Sequence, residues 1–150
     1  MLDIRGKSPG PAGRFSNFTA RSFTFDGVKC ASLEGILQAL KYEDELIQVE
    51  ICGLTGKEAQ ARGQERNDAW KDVQVLWWAG TSYNRLGDRY QAFLTRLYVT
   101  VFDQDESFRK DLQDSRPHFL RHSIGKSDPT DTILTELELC HRLMTLRYRL

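Results

Sequence analysis

The stretch "SFTFDGVKCASLEGILQALKY", residues 22–42, decides how the chain is read. Asp26-Gly27 lies between the short runs Phe23-Thr24-Phe25 and Val28-Lys29-Cys30. Tight two-residue turns between antiparallel strands need positive φ, which glycine tolerates, so a β-hairpin is predicted over 23–30. Ser32 is a suitable N-cap for a helix that opens at Leu33. Leu33, Ile36, Leu37 and Leu40 recur at helical spacing, with Glu34, Gln38 and Lys41 as a polar stripe beside them. Gly35, Ala39 and Tyr42 take the remaining side, which leaves few solvated positions. The helix is therefore expected to be central. Its first-turn carboxylate, Glu34, has two readings: it complements the helix dipole, for about 0.3–1 kcal/mol, or it is held among apolar neighbours to do chemistry.

Working outward, "RGKSPGPAGR" (5–14) reads as loop, and residues 1–12 as a flexible N-terminal arm, because prolines and glycines interrupt regular structure. On the other side, "LTGKEAQARG" (54–63) is a short helix or turn. "NDAWKDVQVLWWAG" (67–80) is predicted as one helix, capped at Asn67 or Asp68 and stopped by Gly80. Helices are also predicted in "DRYQAFLTRLYVTVFDQ" (88–104) and in "DESFRKDLQDS" (105–115), which Pro117 ends. "HFLRHS" (118–123) is a candidate strand. Asp128-Pro129 is expected to open a final helix. The expectation is one α+β domain over 1–150, predominantly helical, with a small sheet built on the hairpin and 118–123 as a candidate addition.

Composition narrows the function classes. A chain of 150 residues buries roughly 70% of its unfolded surface and needs no metal or disulfide staple. Its 21 basic residues balance 21 acidic ones, so no global field steers it to nucleic acid or an anionic membrane. No apolar run reaches the ~18 residues of a membrane span. Cys30, Cys52 and Cys140 are scattered and odd in number, which suits a reducing compartment. The start is too polar for a signal peptide, so a cytoplasmic location is expected.

Several tempting motifs fail. Gly125-Lys126-Ser127 would need a glycine at 120 to be a phosphate loop, and Leu120 stands there. His118 and His122 are four apart, but no cysteine pair or H-E-x-x-H pattern completes a zinc site. No G-x-S-x-G elbow is present. Nothing calls for a metal or a cofactor.

Two segments reinforce one another. Ser16-Asn17-Phe18, then Phe25-Asp26-Gly27, then Ser32-Leu33-Glu34, Gln38-Ala39 and Lys41-Tyr42 follow in order with fixed gaps. This pattern resembles the start of the NADAR family, the YbiA-like N-glycosidases. The C-terminal "FLRHSIGKSDPTDTILTELELCHRLMTLR" resembles the family's closing strand, polar loop and helix. The resemblance spans roughly residues 13–147 and is good at the N-terminal third and the extreme C-terminus. Two departures stand out. Ile124-Gly125-Lys126 replaces an acid followed by Trp-Gly, and Arg121-His122-Ser123 replaces an E-x-S.

The resemblance implies cleavage of an N-glycosidic bond to ribose, on an ADP-ribosylated base or a ribosylated riboflavin-pathway intermediate, with contact to ADP-ribosylated nucleic acid as one form of that substrate. Such a bond breaks through a ribosyl cation-like state that needs negative charge near C1 and a proton for the leaving nitrogen. Glu34 takes the central role, with Asp128 and Asp131 as candidate second carboxylates. Asn17 would bond ribose hydroxyls, Phe18 would wall the sugar or base, and Arg14 and Lys41 would meet phosphate. Ser16 and Gln38 complete the substrate-binding set. His122 is a proton-transfer candidate. Simpler readings stand beside these: Asn17 as a turn cap, Asp128 as a helix cap and Asp131 as a solvated acid. Two other functions stay open. One is a non-catalytic binder of an ADP-ribose-like or other nucleotide ligand. The other is an interaction module presenting Trp77 and Trp78.

Overall fold

The computed structural model describes residues 1–150. The elements run β1 (Leu2–Asp3), α1 (Pro11–Arg14), β2 (Ala20–Phe25), β3 (Val28–Ser32), α2 (Leu33–Ala39), α3 (Glu45–Cys52) and α4 (Gly56–Gln64). Next come α5 (Asn67–Val73), β4 (Val75–Trp78), β5 (Thr81–Asn84), α6 (Asp88–Gln104), α7 (Glu106–Asp114), β6 (Leu120–Arg121) and α8 (Glu136–Arg147). The class is α+β and mainly helical, with three separate two-stranded sheets. Two compact units share the chain: Asn17–Leu94, and Met1–Ser16 with Thr95–Leu150.

In the unit Asn17–Leu94, the β2–β3 hairpin forms where expected. Asp26 (φ 49°) and Gly27 (φ 80°) both take the left-handed conformation such a turn demands. Alternation along β2 puts Phe23 and Phe25 inward, and the register pairs Phe25 with Val28 and Phe23 with Cys30. Every residue of α2 is buried, so this helix is indeed central. Its N-cap works in both directions: Ser32 Oγ accepts from the Gly35 N–H at 2.9 Å and donates to the Leu54 carbonyl at 3.0 Å. α2 packs between α3 and α4. Gly35 allows the first of these approaches, since a Cβ there would stand 2.9–3.1 Å from the carbonyls of Leu54, Ile51 and Cys52.

The single helix expected over 67–80 is instead a helix and a second hairpin. α5 stops at Gln74, whose φ of 55° reverses the chain. β4 and β5 then pair Val75 with Asn84 and Trp78 with Thr81 across an Ala79-Gly80 turn whose φ values are both positive. An apolar run such as Val-Leu-Trp-Trp suits a helix or a strand; the turn behind it decides. Strand alternation buries Leu76 and Trp78 and leaves Val75 and Trp77 half-buried. Trp78 joins a cluster in which Phe93 meets the rings of Phe25, Tyr83 and Tyr90 at 5.3–6.3 Å. Its indole N–H donates to Asp26 at 2.8 Å. Gln48 ties α3 to this hairpin: Nε2 donates to the carbonyls of Tyr42 (2.6 Å) and Trp77 (3.0 Å), and Oε1 accepts from the Ala79 N–H (3.2 Å).

In the other unit the N-terminal arm is structured. Leu2–Asp3 pairs in parallel with Leu120–Arg121, so the 118–123 strand joins β1 rather than the hairpin. The Pro/Gly stretch read as loop contains α1, because Pro11 suits the first helical position. Phe15 packs edge-on against Phe108 of α7 at 6.0 Å. The last helix starts at Glu136, not at Asp128-Pro129. Thr135 and Glu138 form a reciprocal capping box there, which satisfies the first N–H groups better than Asp128 could from seven residues upstream. Buried Arg147 closes this unit by donating to Ser115 Oγ (3.0 Å) and the His118 carbonyl (2.8 Å). No helix is long and apolar enough to cross a membrane.

Candidate functional site

The candidate carboxylate arrives on α2. Glu34 is 9% exposed, and its backbone N–H donates to the Asn17 carbonyl at 2.9 Å. The loop carrying Asn17 is thereby fastened to the start of the helix. One turn on, Gln38 Nε2 donates to Glu34 Oε1 at 2.7 Å. This bond is charge-assisted when Glu34 is ionised, and burial shields it from water. Phe18 lies beside Gly56 at the start of α4. Lys41, 5% exposed, donates from Nζ to Asn67 Oδ1 at 2.5 Å. An ammonium that deep requires such an acceptor. Asn17, Phe18, Glu34, Gln38 and Lys41 thus share one compact unit, with Asn17, Glu34 and Gln38 joined by hydrogen bonds.

The remaining candidates belong to the other unit. Arg14 ends α1 and donates from Nε to the buried Asp111 at 2.6 Å. Ser16 comes two residues later, its N–H on the Gly13 carbonyl. His122 Nδ1 lies 2.7 Å from the Ile4 carbonyl, which can only accept, so that nitrogen carries the proton. The backbone N–H of His122 donates to Glu136 at 2.8 Å. Asp128 is exposed and caps a turn, accepting the Thr130 N–H (2.9 Å) and hydroxyl (2.8 Å). Those bonds, the backbone one foremost, hold its carboxyl below the usual aspartate value. Asp131 is exposed in the same turn, its N–H on the Asp128 carbonyl at 3.0 Å.

Three further residues lie in the same unit as Glu34 without a motif that marks them. Arg21 is 5% exposed on the inward face of β2. The signal was its alternation with Phe23 and Phe25. Asn67, read as a helix cap, is the acceptor for Lys41. Gly63, read as an element boundary, lies inside α4 with Gln38 against it. An open cleft of about 580 Å³ lies elsewhere, lined by Glu106, Ser107, Arg109, Lys110, Gln113 and Leu150, and none of these is a candidate residue.

Helices enclosing a buried acid, with paired hairpins beside them, define a YbiA-like α+β protein. The NMR structure of the Escherichia coli protein YbiA matches with a TM-score of 0.62 and 22% identity, covering 99% of this chain and 86% of that one. At that identity the likeness concerns the fold. The chain belongs to the family of bacteriophage protein GP30.3, whose family model matches residues 10–148. It is similar to the uncharacterized 17.1 kDa protein in the Gp30-rIII intergenic region of Enterobacteria phage T4, with 35% identity over 147 residues, covering 97% of this chain and 96% of that relative.

Proposed function

We propose that the protein hydrolyses the N-glycosidic bond of a ribosyl or ADP-ribosyl substrate, such as an ADP-ribosylated base, with Glu34 as the central carboxylate. The observation that carries this reading is a buried acid bonded through its backbone to Asn17 and through its side chain to Gln38. A carboxylate held in low dielectric stabilises cationic charge at the anomeric carbon far better than one in water. As a base on attacking water it contributes of order 10²–10⁴ in rate. Asn17 presents an amide that both donates to and accepts from sugar hydroxyls, and Phe18 offers an apolar wall. The YbiA-like fold supports the reading at the level of architecture.

Binding without turnover is the second reading. It is favoured by the late loop, where His122 and Ser123 are committed to Ile4 and Asp3. Chromatography with mass detection after incubation with ADP-ribosylated DNA, NAD and ribosylated pyrimidines separates the two. Release of ADP-ribose from ADP-ribosylated DNA or NAD, or of the free base with its ribose product from a ribosylated pyrimidine, supports the hydrolase. Saturable binding by calorimetry without any product supports the binder.

A further inference from the structure

The hydrogen bond from Gln38 to Glu34 is made beside a residue with no side chain. A Cβ built on Gly63 would stand 1.7 Å from Gln38 Oε1, 2.5 Å from Cδ and 3.0 Å from Cβ. The first two are closer than a Cβ approaches any non-bonded atom, and the third is tighter than nearly all such contacts. The glycine therefore opens the space that the Gln38 amide occupies. Gln38 is 7% exposed, so moving its side chain out of that space means displacing the buried residues around it. Its Oε1 is buried and accepts no hydrogen bond from the protein, while Nε2 points the other way, onto Glu34. No polar partner holds Oε1, so the amide keeps this orientation only because the space beside Gly63 is left empty. The opposite orientation of the amide would aim an oxygen at a carboxylate and repel it.

The geometry points to Gly63 as a positioning residue: by leaving room for the Gln38 amide, it holds Gln38 on Glu34 and so fixes the orientation of the acid. Gln38 is then a positioning residue as well, rather than a ligand for the sugar. The bearing on catalysis rests on the hydrolase reading above; the steric relation does not.

The test is a cycle of Gly63→Ala, Gln38→Ala and the double variant, read by NMR on the protein alone. The Gln38 side-chain NH₂ proton donated to a carboxylate resonates downfield and exchanges slowly. Glu34→Gln is expected to move it upfield, which identifies it. Gly63→Ala is expected to abolish both the shift and the protection. Retention of both in folded Gly63→Ala overturns the proposal. Should Gly63→Ala not fold, recovery of folding in the double variant supports the clash with Gln38. A double variant that also fails to fold overturns it, since Gly63 would then serve backbone packing. Where turnover is found, each single change is expected to lower kcat about tenfold or more with little change in KM. Gly63→Ala is expected to cost nothing further in the Gln38→Ala background. An equal loss in both backgrounds contradicts action through Gln38. If no substrate is turned over, the hydrolase reading fails, and the NMR cycle still decides this one.

Discussion

The backbone N–H of Glu34 donates to the carbonyl of Asn17 at 2.9 Å, which ties the loop before the first hairpin to the start of the central helix. That bond sets two residues of the proposed site side by side. It also makes the site sensitive to how α2 begins, because the next residues of that turn are held by Ser32.

Ser32 is fully buried and makes two hydrogen bonds, one to the Gly35 N–H and one to the Leu54 carbonyl. Ser32→Ala is expected to destabilise the protein by about 0.5–2 kcal/mol, at the upper end because the Leu54 acceptor is orphaned too. Urea denaturation monitored by circular dichroism measures it. A midpoint unchanged from wild type would show that the cap is dispensable.

Phe93 is 3% exposed and meets the rings of Phe25, Trp78, Tyr83 and Tyr90. Phe93→Ala should cost about 3–5 kcal/mol through lost burial and the cavity left behind. The same denaturation experiment reads it.

Much of the fold was legible in the sequence, for identifiable reasons. Asp26-Gly27 has one conformational use between two apolar runs, and Ser32 with its leucine stripe has one too. The β4–β5 hairpin was harder: Val75–Trp78 suits either period, and the deciding signals were Gln74 and the Ala79-Gly80 turn, both with positive φ. The β1–β6 pairing joins two-residue strands far apart in sequence, so no local pattern announces it. In the candidate site, Glu34 and Asn17 were legible as chemistry-bearing types in a recognisable order. Gly63 was not, because its contribution is the space it leaves for Gln38 on another helix.

Acid titration tests the N-terminal strand. Asp3 accepts from the Ser123 hydroxyl and from the Ser123 N–H at 2.8 Å, with Arg5 beside it, and these bonds lower its pKa to about 2. A carboxylate depressed on folding contributes stability above its unfolded value near 4, and that contribution is lost as pH falls toward 2. Tm should therefore fall more steeply between pH 4 and pH 2 in wild type than in Asp3→Asn. Parallel curves would show that the carboxylate does not hold this strand.

The three thiols are expected to resist reagents in the folded protein. Cys30, Cys52 and Cys140 are free and buried. Contact with the Cys30 thiol, then burial, pushes Cys52 upward, and burial raises Cys140 to about 12. Cys52 and Cys140 therefore hold little of the thiolate that reacts at neutral pH, and burial shields Cys30 from the reagent. Mass spectrometry after iodoacetamide treatment at pH 7.5 should show no adduct in native protein and three in denaturant. Rapid native labelling at Cys52 or Cys140 would contradict the packing around them.

The central claim concerns Glu34, and the most direct measurement is single-turnover cleavage of whichever ribosylated substrate the product screen identifies, comparing wild type with Glu34→Gln. The substitution keeps the shape and removes the charge. A fall in the cleavage rate of about 10²-fold or more, with substrate binding retained, is the expected result. An unchanged rate in folded Glu34→Gln would place the chemistry on another residue.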